Sequence, residues 1–235
     1  MKERFWEIDF FRGIAILTML LFNWSYSLAY LGIYTIAEGD LYWWLFPRLI
    51  AALFIIIAGI VLSIGYTKNK NAMKYVKRGA GIFALGLLIT LATWVVVPKD
   101  FIVFGILHFI GLSIMISPIF LRQSNEKLIT LSLIFIATGV LLQNFYFDFP
   151  WLLFIGLMPY NFTTLDYFPL LPWLGVMLLG IVIGNTFYTN GKRQFKITKE
   201  PQYAFPLTFL GRHSLLIYMI HQPLLLLLLR SAGLF

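Results

Sequence analysis

Cysteine is absent from the 235-residue chain, which excludes disulfides, thiolate nucleophiles, covalent thioester intermediates and cysteine metal sites. Charge is scarce as well. With 12% charged and 60% hydrophobic residues, no water-soluble domain of this length could cover its surface with polar groups. The chain reads as a polytopic membrane protein. No internal repeat and no linker are visible, so residues 1–235 are expected to form one domain. A cleavable signal peptide is not expected either, because the first apolar stretch is too long and is interrupted by Asp9 and Arg12. No metal site is expected. The net charge of +8 does not call for nucleic acid, since an excess of Lys and Arg in a membrane chain reports cytoplasmic loops.

What the chain does have is apolar length. Stretches at 8–31, 45–66, 78–97, 101–121, 128–146, 168–187 and 209–230 are each long enough to cross a core of ~30 Å at ~1.5 Å per helical residue. The fold class is therefore all-α, a membrane helix bundle of about seven transmembrane helices. Residues 147–167 are too broken by Pro150, Pro159 and the polar YNFTTLDY to cross, and are read as an outer re-entrant or surface segment. With the amino terminus inside, fifteen of the eighteen basic residues fall on the cytoplasmic side; only Arg48, Lys99 and Arg230 lie outside. That asymmetry matches the positive-inside rule and points to a multi-pass protein of the plasma membrane with a cytoplasmic amino terminus. Gly175, Gly180 and Gly184 form a small-residue strip suited to close helix packing. Trp6, Trp43, Trp44, Trp94, Trp151 and Trp173 fall near span ends, as an interfacial belt would.

The first span is the polar one. Asp9 and Arg12 stand three residues apart and share a face, while Asn23 lies deeper on the same side. Polar groups inside a membrane face protein or a water-filled cavity, so this stripe is a candidate site; the alternative is an ion pair at headgroup level. His108, some turns into the fourth span, is expected ~10 to 12 Å below the outer surface, as is Asn23. Imidazole suits proton transfer near neutral pH. Asp166 stands at the outer mouth of the sixth span, and His221 lies mid-span beside Pro223, in a role that equally fits support of the bundle. On the inner side, Arg78 at the third span, and Gly211, Arg212, His213 and Ser214 opening the seventh, place basic side chains beside helix starts. Such a place suits phosphate, whether of an anionic lipid headgroup or of a phosphorylated cofactor.

Several runs together carry a resemblance: IDFFRGIA (8–15) with Asn23, FP (46–47) before FIIIAG (54–59), FGILHFIG (104–111), DYFPLLPWLG (166–175) and GRHSLLIYMIHQP (211–223). The chain resembles the catalytic domain of the heparan-alpha-glucosaminide N-acetyltransferase family in a compact prokaryotic form. The last run is also similar to the broader membrane acyltransferases that O-acetylate sugars. The resemblance implies that acetyl-CoA enters from the cytosol and that its acetyl group passes through the bundle to an amine on the far side. It maps the family's aspartate and arginine onto Asp9 and Arg12, and its helix asparagine onto Asn23. The lysosomal enzyme also uses a histidine soon after that asparagine. This chain departs there, because residues 24–47 contain none. The acceptor is expected to be sugar-like rather than heparan itself.

Residues and resemblance converge on one expected mechanism. The catalytic residues are His108 as base, Asn23 as hydrogen-bonding group for the oxyanion or acceptor, and Asp166 for acceptor positioning. Asp9, Arg12, Arg78, Arg212, His213 and His221 form the expected acetyl-CoA set, with acyl-CoA, a sugar-like acceptor and membrane lipids as partners and a homodimer compatible with the sequence. The rival reading is a transporter or channel with a polar-lined bundle; the lack of an internal repeat counts against it.

Overall fold

Long apolar runs leave the backbone no partner but itself in lipid, so they fold as helices. The computed structural model describes residues 4–33, 41–197 and 199–233; Lys2, counted above with the inner charges, lies outside them. Among the described residues, eight α-helices follow one another: α1 (Trp6–Tyr30), α2 (Leu41–Lys68), α3 (Ala72–Val96), α4 (Ile106–Phe120), α5 (Asn125–Leu142), α6 (Leu170–Phe187), α7 (Phe205–Arg212) and α8 (Ser214–Ser231). No strand forms among the described residues. Among the described residues, six helices, α1, α2, α3, α5, α6 and α8, are long and apolar enough to cross a membrane, and α4 is a shorter apolar helix. The chain is thus an all-α polytopic membrane protein.

It divides into two compact units, residues 1–57 with 197–235, and residues 58–196. In the first, α1 packs on α7 through two glycines. A Cβ at Gly13 would overlap the backbone of Leu207, and one at Gly211 would overlap the Asp9 oxygen. Only a missing side chain allows that approach. Further along α1, Ile16, Met19 and Ile50 form a buried core with Phe46, Phe54, Ile217 and Tyr218 against it. Phe22 continues this seam, with its ring centroid 5.7 Å from that of Trp43.

In the second unit the glycine strip behaves as a packing surface. A Cβ at Gly175 would crowd the Ser132 carbonyl, one at Gly184 would meet Ser63, and Gly59 faces the Gly180 backbone. Ser132 Oγ also donates to the Gly175 carbonyl at 2.7 Å, stitching α5 to α6. Ser63 Oγ donates to Asn185 Oδ1 at 2.6 Å, and Asn185 Nδ2 donates to Asn125 Oδ1 at 2.8 Å. Polar groups on α2, α5 and α6 thereby satisfy one another away from water.

Three sequence boundaries change. The expected span 209–230 is two helices, broken at His213 (φ −107°, ψ 16°). Gly211, Arg212 and His213 therefore close α7 instead of opening one long helix. The helix α3 starts at Ala72, where Asn71 Oδ1 accepts the Met73 N–H at 3.0 Å. Arg78 is thus in the helix body and not beside its start. The helix α4 starts at Ile106, not at 101, because residues 101–105 are used by neighbouring segments. The Ile102 N–H donates to Thr93 Oγ1 at 3.1 Å, and the Phe104 carbonyl accepts the Phe168 N–H at 2.9 Å. At 15 residues α4 spans ~22 Å, less than a bilayer core.

Residues 143–169 contain no helix longer than the turn Pro150–Leu152. They dock on their own unit through backbone bonds, among them Leu165 N–H to the Asp100 carbonyl at 2.9 Å and Leu170 N–H to the Phe154 carbonyl at 2.7 Å. A segment so tied gives its polar backbone internal partners.

Candidate active site

The helix α1 carries its acid, arginine and asparagine along the face that meets α7 and α8. At its start Asp9 is buried and accepts from Arg12 Nη1 at 2.9 Å and Arg4 Nε at 3.0 Å. Arg212, at the end of α7, reaches the same carboxylate at 3.7 Å and holds Glu200 at 2.7 Å. Arg12 also donates to the Gly211 carbonyl at 3.4 Å. A first-turn aspartate suits the positive end of the helix dipole. The cluster pins α1 to α7 where the glycines let them touch. Asp9, Arg12 and Arg212 are therefore one network, with Glu200 as the member the sequence did not single out. Exposed His213 follows it, with Nδ1 donating to the Phe209 carbonyl at 2.9 Å. Arg78 belongs to the other unit and is exposed.

Deeper on the same face, Asn23 meets His221 of α8. Asn23 Nδ2 lies 2.9 Å from His221 Nε2, and His221 Nδ1 lies 2.6 Å from the Tyr218 carbonyl oxygen. A carbonyl can only accept, so Nδ1 carries the proton and Nε2 presents its lone pair to the Asn23 N–H. A neutral imidazole so held is oriented for proton abstraction at Nε2. One turn on in α1, Ser27 Oγ donates at 3.4 Å to Oε1 of Gln222, the residue after His221.

His108 is placed differently. It is 2% exposed and occupies the first turn of α4, with Phe83 edge-on at 5.2 Å and Phe104 stacked at 5.5 Å. Its Nδ1 accepts the Gly105 N–H at 3.2 Å, satisfying a donor ahead of the helix. The proton is then on Nε2, directed at Thr90 Oγ1 at 3.3 Å, and Thr90 passes its own proton to the Ile102 carbonyl at 2.7 Å. Both ring nitrogens are used and neither keeps an open lone pair. Asp166 serves the same helix end, accepting the Ile106 N–H at 3.0 Å. Burial raises its carboxyl to about 6, against the lowering effect of that N–H. Its neighbour Tyr167 donates to the Leu153 carbonyl at 2.6 Å, and burial pushes its phenol upward.

The structure thus brings Asn23 together with His221, and Asp166 together with His108 at the start of α4, the two pairs lying in separate units. The sequence reading missed the first pairing and missed Thr90. A polar residue in each of two apolar spans was visible, but no spacing rule joins positions 198 apart.

The family described as heparan-alpha-glucosaminide N-acetyltransferase, catalytic, matches residues 4–223. The chain belongs to this family. That family match makes it a membrane acyltransferase, and the span of the match takes in both the Asn23–His221 pair and the Asp166–His108 pair. No curated protein and no solved structure matches it. Among the described residues no group of three or more His, Asp or Glu gathers as a metal site.

Proposed function

We propose that the chain transfers an acetyl group from acetyl-CoA to the amine of a sugar-like acceptor outside the cytosol, with His221 as general base and Asn23 as its partner. The observation that carries this reading is the Asn23–His221 pair, a tautomer-fixed imidazole of α8 held against the polar stripe of α1 within the span of the family match. At rest an Asn23 N–H covers the Nε2 lone pair. An arriving amine takes that place, giving its proton to Nε2 as its nitrogen attacks the thioester carbonyl carbon. The freed Asn23 N–H then turns to the developing oxyanion. Collapse of the tetrahedral species breaks the C–S bond, and the His221 imidazolium returns the proton to the departing CoA thiolate. The base expected at His108 moves to His221 in this scheme, because His221 alone of the two presents its lone pair to a displaceable side-chain donor.

Asp9, Arg12, Arg212 and His213 form the end of the first unit where the anionic nucleotide part of acetyl-CoA would rest. Their internal ion pairs support a framework role for Arg12 and Arg212 that holds positive charge at this end of the unit, where phosphate would be attracted. In the second unit Arg78 is exposed and makes no such pair among the described residues, and Asp166 and His108 organise the start of α4. The single family match through both units supports one functional domain. Acetyl-CoA at 100 times its dissociation constant is expected to stabilise the purified protein by ~2.7 kcal/mol, read as a rise in unfolding temperature. No shift with acetyl-CoA or CoA would remove the donor assignment.

The asymmetry of basic residues supports a cytoplasmic amino terminus in the plasma membrane. Asn71 and Phe195 are exposed, and a chain without cysteine suits single-cysteine labelling. Asn71→Cys and Phe195→Cys are expected to resist an impermeant thiol reagent in intact cells and to react after permeabilisation. Labelling in intact cells would invert the orientation.

A further inference from the structure

Polar side chains of membrane helices end against protein or against wet space, because unsatisfied donors in lipid are costly. Among the described residues, the seam of α1 and α8 breaks this rule twice. Asn23 spends an N–H on His221, yet its Oδ1 has no hydrogen-bond partner. Gln222 accepts from Ser27 through Oε1, yet both N–H groups of its amide have none. Neither amide is sealed in the core, and Ser27 lies one helical turn beyond Asn23 toward the end of α1. A free acceptor beside the base and a free double donor with a hydroxyl one turn on make a graded polar surface. Its chemistry is that of a molecule bearing an amine and neighbouring hydroxyls.

We infer that Ser27 and Gln222 form the acceptor subsite, recognising hydroxyl groups of an amino sugar while its amine meets His221. This rests on the acetyltransferase reading above. The long Ser27–Gln222 contact, 3.4 Å, is a weak bond that a sugar hydroxyl replaces by accepting from Ser27 and donating to Gln222 Oε1, while a neighbouring hydroxyl accepts from the Gln222 amide N–H. A site built around hydroxyl recognition rejects an analogue lacking the hydroxyls, because its own polar groups are then left unpaired.

The test compares glucosamine with cyclohexylamine, a ring amine without hydroxyls, as acceptors for acetyl-CoA in detergent-purified protein. Each amine is its own reference between wild type and variant, so their different basicities cancel. Wild type is expected to prefer glucosamine. In Gln222→Leu the KM for glucosamine is expected to rise on the order of tenfold for each hydrogen bond lost, and the KM for cyclohexylamine to change far less. Ser27→Ala is expected to act in the same direction and decides alone if Gln222→Leu does not fold. Equal losses with both amines, or an unchanged preference, would overturn the subsite, as would a wild type that acetylates only cyclohexylamine. A wild type that acetylates neither amine, although acetyl-CoA stabilises it, would defeat the amino-sugar reading itself and the subsite with it.

Discussion

His221→Ala is expected to lower acetyl transfer by ~10² to 10⁴, the range for removing a positioned general base, while acetyl-CoA still raises the unfolding temperature. Proton transfer at Nε2 needs the ring held in one tautomer. The Tyr218 carbonyl does this through Nδ1 at 2.6 Å, leaving Nε2 toward Asn23 at 2.9 Å. Asn23→Ala removes the oxyanion donor and is expected to lose ~10² to 10³. Because the two side chains act as a unit, the double variant is expected to lose little more than His221→Ala alone. The measurement is turnover of acetyl-CoA with glucosamine in monodisperse detergent-purified protein. A His221→Ala variant turning over at the wild-type rate would remove His221 as base.

His108→Ala is expected to reduce stability by roughly 3 to 5 kcal/mol, combining a core cavity with stranded polar groups. The ring fills the space between Phe83 and Phe104, and a Cβ at Gly86 would stand 3.0 Å from it. Its loss leaves the Gly105 N–H without its acceptor. The readout is the unfolding midpoint in detergent, alongside turnover per folded molecule, which is expected to fall far less than in His221→Ala. His108→Asn is expected to recover part of the midpoint, since an asparagine oxygen can accept the Gly105 N–H. Unchanged midpoints with abolished turnover in both variants would return the base to His108.

The two histidines show where reading the chain as a string stops. Each appears as a polar residue in an apolar run, and by composition they are equivalent. The Nδ1 bond to Gly105 is made three residues away at the helix start, but nothing local to His108 announces that Nε2 will be taken by Thr90, which is 18 positions away. Boundaries also shifted for tertiary reasons. The hydropathy of 101–105 continues that of α4, but docking of Phe168 and Thr93 on this segment draws its backbone out of the helix. The expected span 209–230 breaks at His213, in the polar stretch GRHS (211–214) where close contact of α7 with α1 requires Gly211.

The amino-acid sequence by itself determined the membrane class, the apolar runs, the packing role of Gly175, Gly180 and Gly184, and the polar stripe of α1. These follow from length, transfer free energy and helical period, which are properties of neighbours along the chain. It did not determine which polar side chains meet. Lipid exposure penalises Asn23, Ser27, His221 and Gln222 alike and states only that each turns inward. Which partner each finds depends on how closely α1, α7 and α8 approach. That distance is set by glycine contacts and by the Asp9–Arg212–Glu200 ion pairs, between positions far apart in the chain, so only the tertiary structure could decide it.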